Sequence, residues 1–221
     1  EHMRAVVALS AGAEKFHSYD GLSRLYGGVL GEVQYRTSGS FGAPTFALFT
    51  RFTGEQFESD LRDGYRNSTG FSVRKPVTDR ITLFGAIAHN ERSARSSVFT
   101  GRDNSLRLNV DYAATESSTL YLTGEYRRGD TFSSGFSSLA SLDIAKVFAR
   151  DDVFTNPQLF AYRLEARTAI ATIGYNVPFG PRDSFDFSWR RAESQSVEGP
   201  SPYGKSRYVV DQFAAVYLVR F

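Results

Sequence analysis

The sequence predicts an all-β fold, a single antiparallel up-and-down β-barrel of about ten strands over residues 4–221. Two observations carry this prediction. Apolar and polar residues alternate with period two in ten segments, as strands with one apolar and one polar face require. The connections between these segments are alternately short and long. The first three residues, Glu-His-Met, have the character of a cloning scar and are excluded from the domain.

The ten segments follow one another along the whole chain. In order they are Arg4–Phe16, Leu25–Thr37, Pro44–Phe57, Tyr65–Val77, Arg80–Arg92, Ser105–Ala114, Thr119–Thr131, Leu159–Val177, Asp183–Val197 and Lys205–Phe221. Their apolar faces carry Ala5/Val7/Leu9, Val29/Val33/Tyr35, Phe46/Leu48/Phe52, Tyr65/Phe71/Val73, Ile81/Leu83/Ile87, Leu106/Leu108/Val110/Tyr112, Leu120/Leu122/Tyr126, Tyr162/Leu164/Ala166, Phe185/Phe187/Trp189 and Phe213/Ala215/Tyr217. Phe84 makes the parity of the fifth segment ambiguous. The eighth changes parity near Ile170–Ile173, which predicts a β-bulge there.

Short and long connections alternate along the chain. The short ones are Ser38–Ala43, Val77–Asp79, Thr115–Ser118 and Pro178–Arg182, and the long ones are His17–Arg24, Glu58–Gly64, Ser93–Asn104, Phe132–Gln158 and Glu198–Gly204. Within the longest connection, apolar residues at near-helical spacing predict a short helix over Ser137–Arg150. Short turns therefore gather at one end of the barrel and longer loops at the other.

The composition agrees with a barrel whose apolar face meets lipid. No apolar run approaches the ~18 residues of a transmembrane helix, whereas a membrane barrel needs only alternate residues to be apolar. The aromatic share is 14%, with 19 Phe and 12 Tyr, which suits aromatic girdles at two membrane interfaces. The chain has no cysteine, and its net charge of +2 exerts no general attraction on nucleic acid.

The last strand is the most specific feature. Phe213, Ala215, Tyr217, Val219 and Phe221 share one parity and are all apolar. An alternating strand that ends the chain on an aromatic residue resembles the last strand of Gram-negative outer-membrane β-barrels, and an even strand count is typical of that class. The resemblance implies that Phe213, Tyr217, Val219 and Phe221 form the signal read by the barrel assembly machinery. It also implies an outer-membrane location, periplasmic chain ends with short periplasmic turns and longer extracellular loops, and contact with membrane lipid and lipopolysaccharide.

A soluble sandwich or lipocalin-like barrel is the structural alternative, with the apolar face inside. The terminal aromatic residue, the alternating connection lengths and the long uninterrupted strands favour the membrane barrel, because soluble strands usually have about 5–6 residues. The sequence also leaves open that the barrel is the C-terminal domain of a longer exporter. An N-terminal periplasmic domain or export partners would then lie outside these residues.

With the apolar face toward lipid, the polar parity faces the lumen, and its cations are all arginine. The predicted lumen residues are Arg36, Arg51, Arg66, Arg74, Arg107, Arg127, Arg163, Arg167 and Arg190, together with Glu14, Glu32, Glu55, Asp111, Glu125, Glu165 and Asp186. Arginine can bind carboxylates on neighbouring strands through two parallel hydrogen bonds. Either these side chains plug the lumen, or the arginine excess lines a narrow path.

An enzyme is a weaker interpretation. His17-Ser18 with Asp20 is the best candidate triplet, but adjacent strand residues point to opposite faces, so a solvated loop histidine is the simpler reading. We expect no catalytic residue, no metal site and no cofactor. The leading hypothesis is a narrow porin-like passage for small polar or anionic solutes or an exported polymer. The alternative is a non-conducting surface barrel whose extracellular loops bind a partner or matrix.

Overall fold

The computed structural model describes residues 2–136, 139–180, 183–197 and 207–219. Its main element is one antiparallel sheet of eleven strands. The strands are β1 (Met3–Glu14), β2 (Arg24–Arg36), β3 (Thr45–Phe57), β4 (Gly64–Pro76), β5 (Ile81–Ala94), β6 (Gly101–Ala113), β7 (Thr119–Phe136), β8 (Val147–Arg150), β9 (Leu159–Pro178), β10 (Asp183–Ser196) and β11 (Arg207–Val219). Ten of them pair in chain order, and β8 pairs only with β9. The all-β antiparallel up-and-down prediction is therefore confirmed at the level of the sheet.

Each predicted segment corresponds to one strand of this ten-strand path. The helix predicted over Ser137–Arg150 is shorter in the structure, where α1 spans Leu139–Ile144, and residues 137–138 lie outside the described residues. The end of the same segment forms the unpredicted strand β8, which pairs with β9 from Val147↔Arg163 to Arg150↔Phe160. The four residues of β8 are too few to show the two-residue period of a strand, so the apolar residues of the whole segment were compatible with helical spacing.

The bulge predicted near Ile170–Ile173 is wrong. The pairing of β9 with β7 and with β10 runs through this stretch without an interruption. Ile170 is buried, whereas Ile173 is 43% exposed, so the two isoleucines simply occupy opposite faces of one regular strand. The error lies in the first half of the segment. The pattern placed the parity of Tyr162, Leu164 and Ala166 on the outward face, but Ala166 and Ile170, which share that parity, are buried on the inner face.

The two ends of the sheet differ. Residues 37–44, 77–80 and 114–118 connect strands at one end, which we call the turn end, and Pro178 of β9, Asp183 of β10 and the described ends of β1 and β11 lie there too. Longer connections, among them residues 137–158, lie at the opposite loop end. Within the described residues no ladder joins β1 to β11, so closure of the sheet into a barrel stays a prediction.

The sheet has its apolar side chains on the outside. The outer face of successive strands carries exposed residues such as Leu9, Leu48, Leu108, Leu122 and Phe213, and Leu9 is 83% exposed. Opposite them, the inner face carries arginine, glutamate, serine and asparagine side chains that hydrogen-bond to one another. The one cluster of buried apolar residues found in the described parts of the chain lies at the loop end, around Val98, Phe99 and Ala161. No helix in those parts is long and apolar enough to cross a membrane.

Gly129 marks a local change in β7. On its turn-end side the odd-numbered Glu125 and Arg127 line the inner cavity, and on its loop-end side Asp130 and Phe132 line it. Gly129 has φ +149°, and a Cβ there would lie 2.4 Å from the Arg102 carbonyl oxygen. Only glycine fits this backbone without strain.

Candidate functional site

A polar cavity of about 850 Å³ lies against the inner face of β1–β7. Its lining is rich in charge, with arginines and carboxylates in nearly equal number and no lysine. The charged residues include Arg24, Arg51, Arg66, Arg92, Arg107, Arg127, Glu14, Glu32, Glu55, Asp103, Glu125 and Asp130. The prediction that arginine is the lumen cation agrees with this lining, but the predicted arginine excess is not found in it.

At the loop end of the cavity, Glu55 is the centre of a network across five neighbouring strands. Its side chain is only 3% exposed. It forms an ion pair with Arg24 and accepts a 2.8 Å hydrogen bond from Nε of Arg66. Arg92 lies 3.9 Å away, and Arg24 also donates to Glu14 at 2.9 and 3.0 Å. The arginines of this network balance the negative charge of the buried Glu55 carboxylate, and the contacts fix the relative positions of β1–β5.

Two cavity arginines differ from the others. Arg51 and Arg107 form no ion pair or side-chain hydrogen bond with any residue that the structure describes. Carboxylates elsewhere in the cavity have amide donors, since Gln34 donates to Glu32 at 2.6 Å and Asn90 donates to Asp103 at 2.9 Å. The guanidinium groups of Arg51 and Arg107 are therefore the positive charges that remain available to a solute.

The structure divides the predicted lumen residues into two groups on the inner face. Arg51, Arg66, Arg107, Arg127, Glu14, Glu32, Glu55 and Glu125 line the cavity. Arg36, Arg74, Asp111, Asp186 and Arg190 share the inner parity without lining the cavity. Of this second group, Arg74 lies 3.9 Å from Asp111, and Asp186 accepts a 2.8 Å hydrogen bond from the Tyr121 hydroxyl.

Three predicted lumen residues on β9 lie elsewhere. Arg167 is exposed and alternates with the buried Ala166, so it shares the outer face with Ile173 and does not face the lumen. Arg163 donates to the carbonyls of Ser97 (3.0 Å) and Thr100 (2.5 Å), and Glu165 accepts from Lys146 at 3.0 Å. Arg163 lies beyond the end of β10, where β8 replaces β10 as the neighbour of β9, while β7 continues to pair with β9 on the other side.

Arg24 and Arg92 line the cavity but were not among the predicted lumen residues. The alternation begins only at Leu25, so the sequence places Arg24 in the preceding loop, whereas in the structure Arg24 is the first residue of β2. Arg92 ends a segment whose parity Phe84 made ambiguous, although the outward set of Ile81, Leu83 and Ile87 would have placed Arg92 inward. Their guanidinium groups also stack on rings, both of them at 5.6 Å from the centroid of Phe57.

A packed layer of loops covers the loop end, and we call it the loop cap; it comprises residues 15–23, 58–63, 95–100 and 145–158. At its centre the carboxylate of Asp151, with no exposed side-chain surface, accepts two 2.9 Å hydrogen bonds from Arg62. Ser134 donates a further hydrogen bond to Asp151. The guanidinium of Arg62 also lies 3.9 Å from the ring centroid of Phe99, so one side chain joins an ion pair to the buried apolar cluster.

Residues 151–158, between β8 and β9, cross the loop end of the cavity. Ser59, in the connection after β3, donates a 2.6 Å hydrogen bond to Asp152. Tyr19, in the connection after β1, packs edge-on against Phe154 with 5.5 Å between ring centroids. The segment itself is held between β8 and β9, several strands away around the sheet. A segment that contacts both sides must span the opening.

The environment of Asp151 determines its ionisation. Burial acts to raise the pKa of its carboxyl, but the hydrogen bonds from Arg62 and Ser134, the charge of Arg62 and the backbone N–H of Val153 together lower the pKa below the ordinary value. Asp151 is therefore ionised at neutral pH in the folded loop cap. Lys146, whose pKa is raised chiefly by its hydrogen bond to Glu165, is likewise charged.

The predicted assembly signal lies on β11. Phe213 and Tyr217 are on the outer face, with 81% and 51% exposure, and Val219 ends the strand. Phe221 lies outside the described residues, as does the connection over 198–206.

Comparison with solved structures gives a similarity at low sequence identity. The chain is similar to the siderophore receptor PiuA from Acinetobacter baumannii, with a TM-score of 0.33 and 9% sequence identity. The alignment covers 98% of this chain and 42% of the receptor, so the chain spans less than half of that protein's length. The sequence matches no protein-family model and no curated protein.

Proposed function

We propose that the chain is an integral outer-membrane β-barrel, closed by antiparallel pairing of β1 with β11. The observation that carries this proposal is the outward apolar face, which includes Leu9, Leu48, Leu108 and Leu122, opposite an inner face of ion pairs. Such a distribution suits lipid outside and a polar lumen inside. In lipid, unpaired backbone groups on two long edge strands would each cost several kcal/mol, so the edges must pair.

Within this barrel, the lumen is a narrow passage for small polar solutes with a preference for anions. Arg51 and Arg107 support the preference, because they are charged, open to the cavity and without a carboxylate partner among the described residues. Rings or pairs of such side chains select for the opposite charge in channels. The carboxylates of the same cavity bind amides, arginines, Lys146 or His89, and these partners weaken their repulsion of a permeating anion.

The loop cap favours a second candidate, a non-conducting surface barrel whose outer loops bind a partner. A segment that crosses the mouth and is fixed by the buried pair of Arg62 and Asp151 would close the lumen at rest. The two candidates differ in one property, namely whether ions cross when the cap is intact or loosened. No catalytic role is proposed.

Conductance in a planar bilayer decides between the candidates. We expect the wild-type barrel, or the cap-loosened variant Arg62→Ala/Asp151→Ala, to conduct with a preference for chloride over potassium. Replacing both Arg51 and Arg107 by glutamine should reduce that preference. The matched control is Arg191→Gln/Arg207→Gln, which removes two arginines from the outer face of β10 and β11 and should leave selectivity unchanged.

Three results are informative. Absence of current from both wild type and the cap-loosened variant would refute the passage and favour the surface barrel. Equal selectivity with and without the arginines at 51 and 107 would refute their role. A protein that remains a soluble monomer without detergent would refute the membrane barrel itself.

A further inference from the structure

Two arginines on the outer face lie side by side, and the described part of the chain offers no partner for their charge. Arg128 of β7 and Arg167 of β9 are directly opposed in the antiparallel ladder. Both are exposed, and neither forms an ion pair or hydrogen bond with any of the described residues. Directly opposed residues have Cβ atoms about 4.5–5.5 Å apart, and like charges in that position destabilise a sheet.

The neighbouring side chains do not neutralise this pair. Along the two strands, the nearest carboxylates are Asp130 and Glu165, and both are bound to Lys146 at 3.0 Å. On the flanking strands, Asn104 is opposed to Arg128 and Gln195 to Arg167. Glu193, diagonal to Arg167 on β10, accepts a 2.6 Å hydrogen bond from Arg207. Four neighbouring strands thus present an amide, two guanidinium groups and a second amide in one row, which we call the outer arginine row.

The outer arginine row lies directly beside the apolar band. Two residues nearer the turn end, the outer face carries Tyr126 opposed to Leu106 and Ala169, and Tyr126 and Leu106 are 45% and 46% exposed. Two residues of a strand span about 6.6–6.8 Å. The row therefore stands at the height where lipid head groups follow the acyl chains, beside a tyrosine of the kind that marks this interface.

We propose that the outer arginine row binds the phosphate of an anionic phosphorylated lipid in the adjoining leaflet, of the lipid A type. Two guanidinium forks can hold phosphate oxygens through parallel hydrogen bonds, and an anion between them removes the repulsion of Arg128 and Arg167. This inference rests on the proposed insertion into the outer membrane and adds to it a specific lipid contact.

The test is a lipid titration of the folded chain in dodecylmaltoside micelles, followed by thermal melting. Bis-phosphorylated lipid A should raise the melting temperature of the wild type. The variant Arg128→Gln/Arg167→Gln should need about thirtyfold more lipid A for half the effect, as expected for two charges of about 1 kcal/mol each at 1.4 kcal/mol per tenfold. Dephosphorylated lipid A should stabilise neither protein.

The matched control is Lys75→Gln/Arg80→Gln, which removes two exposed cations at the turn end. It should need the same lipid A concentration as wild type for half of the rise in melting temperature. If Arg128→Gln/Arg167→Gln needs no more lipid A than wild type for half of the rise in melting temperature, the inference is overturned. Equal stabilisation by inorganic phosphate would assign the row to a free anion and overturn the lipid assignment. Insertion of the wild type into phosphatidylcholine vesicles is measured beside it, because failure there refutes the membrane barrel, whereas insertion without selective lipid A binding refutes only this inference.

Discussion

Removal of Arg62 should open the loop cap while leaving the sheet folded. In Arg62→Ala, the carboxylate of Asp151 loses two 2.9 Å hydrogen bonds and its counter-charge while it remains without solvent. Breaking a buried ion pair from one side costs about 3–5 kcal/mol. The lost stacking on the Phe99 ring adds about 0.5–2 kcal/mol.

Arg95→Ala is the matched control. Arg95 also lies in the loop cap, but its partner Asp60 is 3.3 Å away and both side chains are more than 60% exposed. An exposed pair of this kind contributes about 0–1 kcal/mol. The double variant Arg62→Ala/Asp151→Ala should be less destabilised than the sum of the two single variants, since no buried charge is left unpaired.

Amide hydrogen exchange in the loop cap measures these effects. A loss of about 3.5–7 kcal/mol from the local opening free energy should accelerate exchange around Val98 and Phe99 by at least roughly 300-fold. Exchange in the centres of β5 and β6 should change little. The reasoning is refuted if Arg62→Ala and Arg95→Ala exchange at the same rate around Val98, because the buried pair would then not hold the loop cap.

Four further outcomes are expected. Placing arginine at Leu108, which is 59% exposed on the outer face, should cost about 2–4 kcal/mol in folded-state stability in a bilayer; an unchanged urea midpoint in vesicles would argue against a lipid-facing position. Deleting Phe221 should impair membrane fractionation in cells far more than refolding into micelles, and equal losses in both would remove the assembly-signal interpretation. In this cysteine-free chain, a cysteine at Val7 should form a disulfide with a cysteine at one of Phe213, Ala215 or Tyr217 if β1 pairs with β11, whereas no cross-link in any pairing contradicts closure. Because the folded-state pKa of Asp151 is lowered, its contribution to stability is present above the unfolded-state pKa and is lost as pH falls through the folded-state pKa; amide exchange in the loop cap should accelerate below about pH 4 in wild type but not in Asp151→Asn.

Alternation predicted the sheet because it reports a physical constraint on every strand. A strand with lipid or core on one side and polar contacts on the other must alternate, and the sixth predicted segment, with Leu106, Leu108 and Val110 outward, has this pattern in the structure. The same rule stops applying at the loop end of β9, where β8 and the cap loops take the place of β10. Arg163 and Glu165 kept the parity of the pattern but lie among the cap loops.

The loop cap could not be predicted for a related reason. Its contacts join residues far apart in sequence, such as Arg62 with Asp151 and Ser59 with Asp152. The alternation of apolar and polar residues carries no information about such long-range contacts between loops. Neither Arg62 nor Asp151 differs in sequence from an ordinary loop charge. Their burial follows only from how the connections meet above the sheet.

The uneven distribution of charge around the inner face constrains how solutes could move through a closed barrel. The cavity charges belong to β1–β7, whereas the inner face of β9, β10 and β11 carries small residues such as Gly174, Ser188 and Ala214 and only two of the predicted lumen charges, Asp186 and Arg190. Pairing of β1 with β11 would place these small side chains across the lumen from Arg51 and Arg107. The open volume would then lie between a wall of fixed charges and a wall of small residues. A solute on that path would pass the two arginines directly, and removing their charge should therefore alter selectivity before it alters the fold.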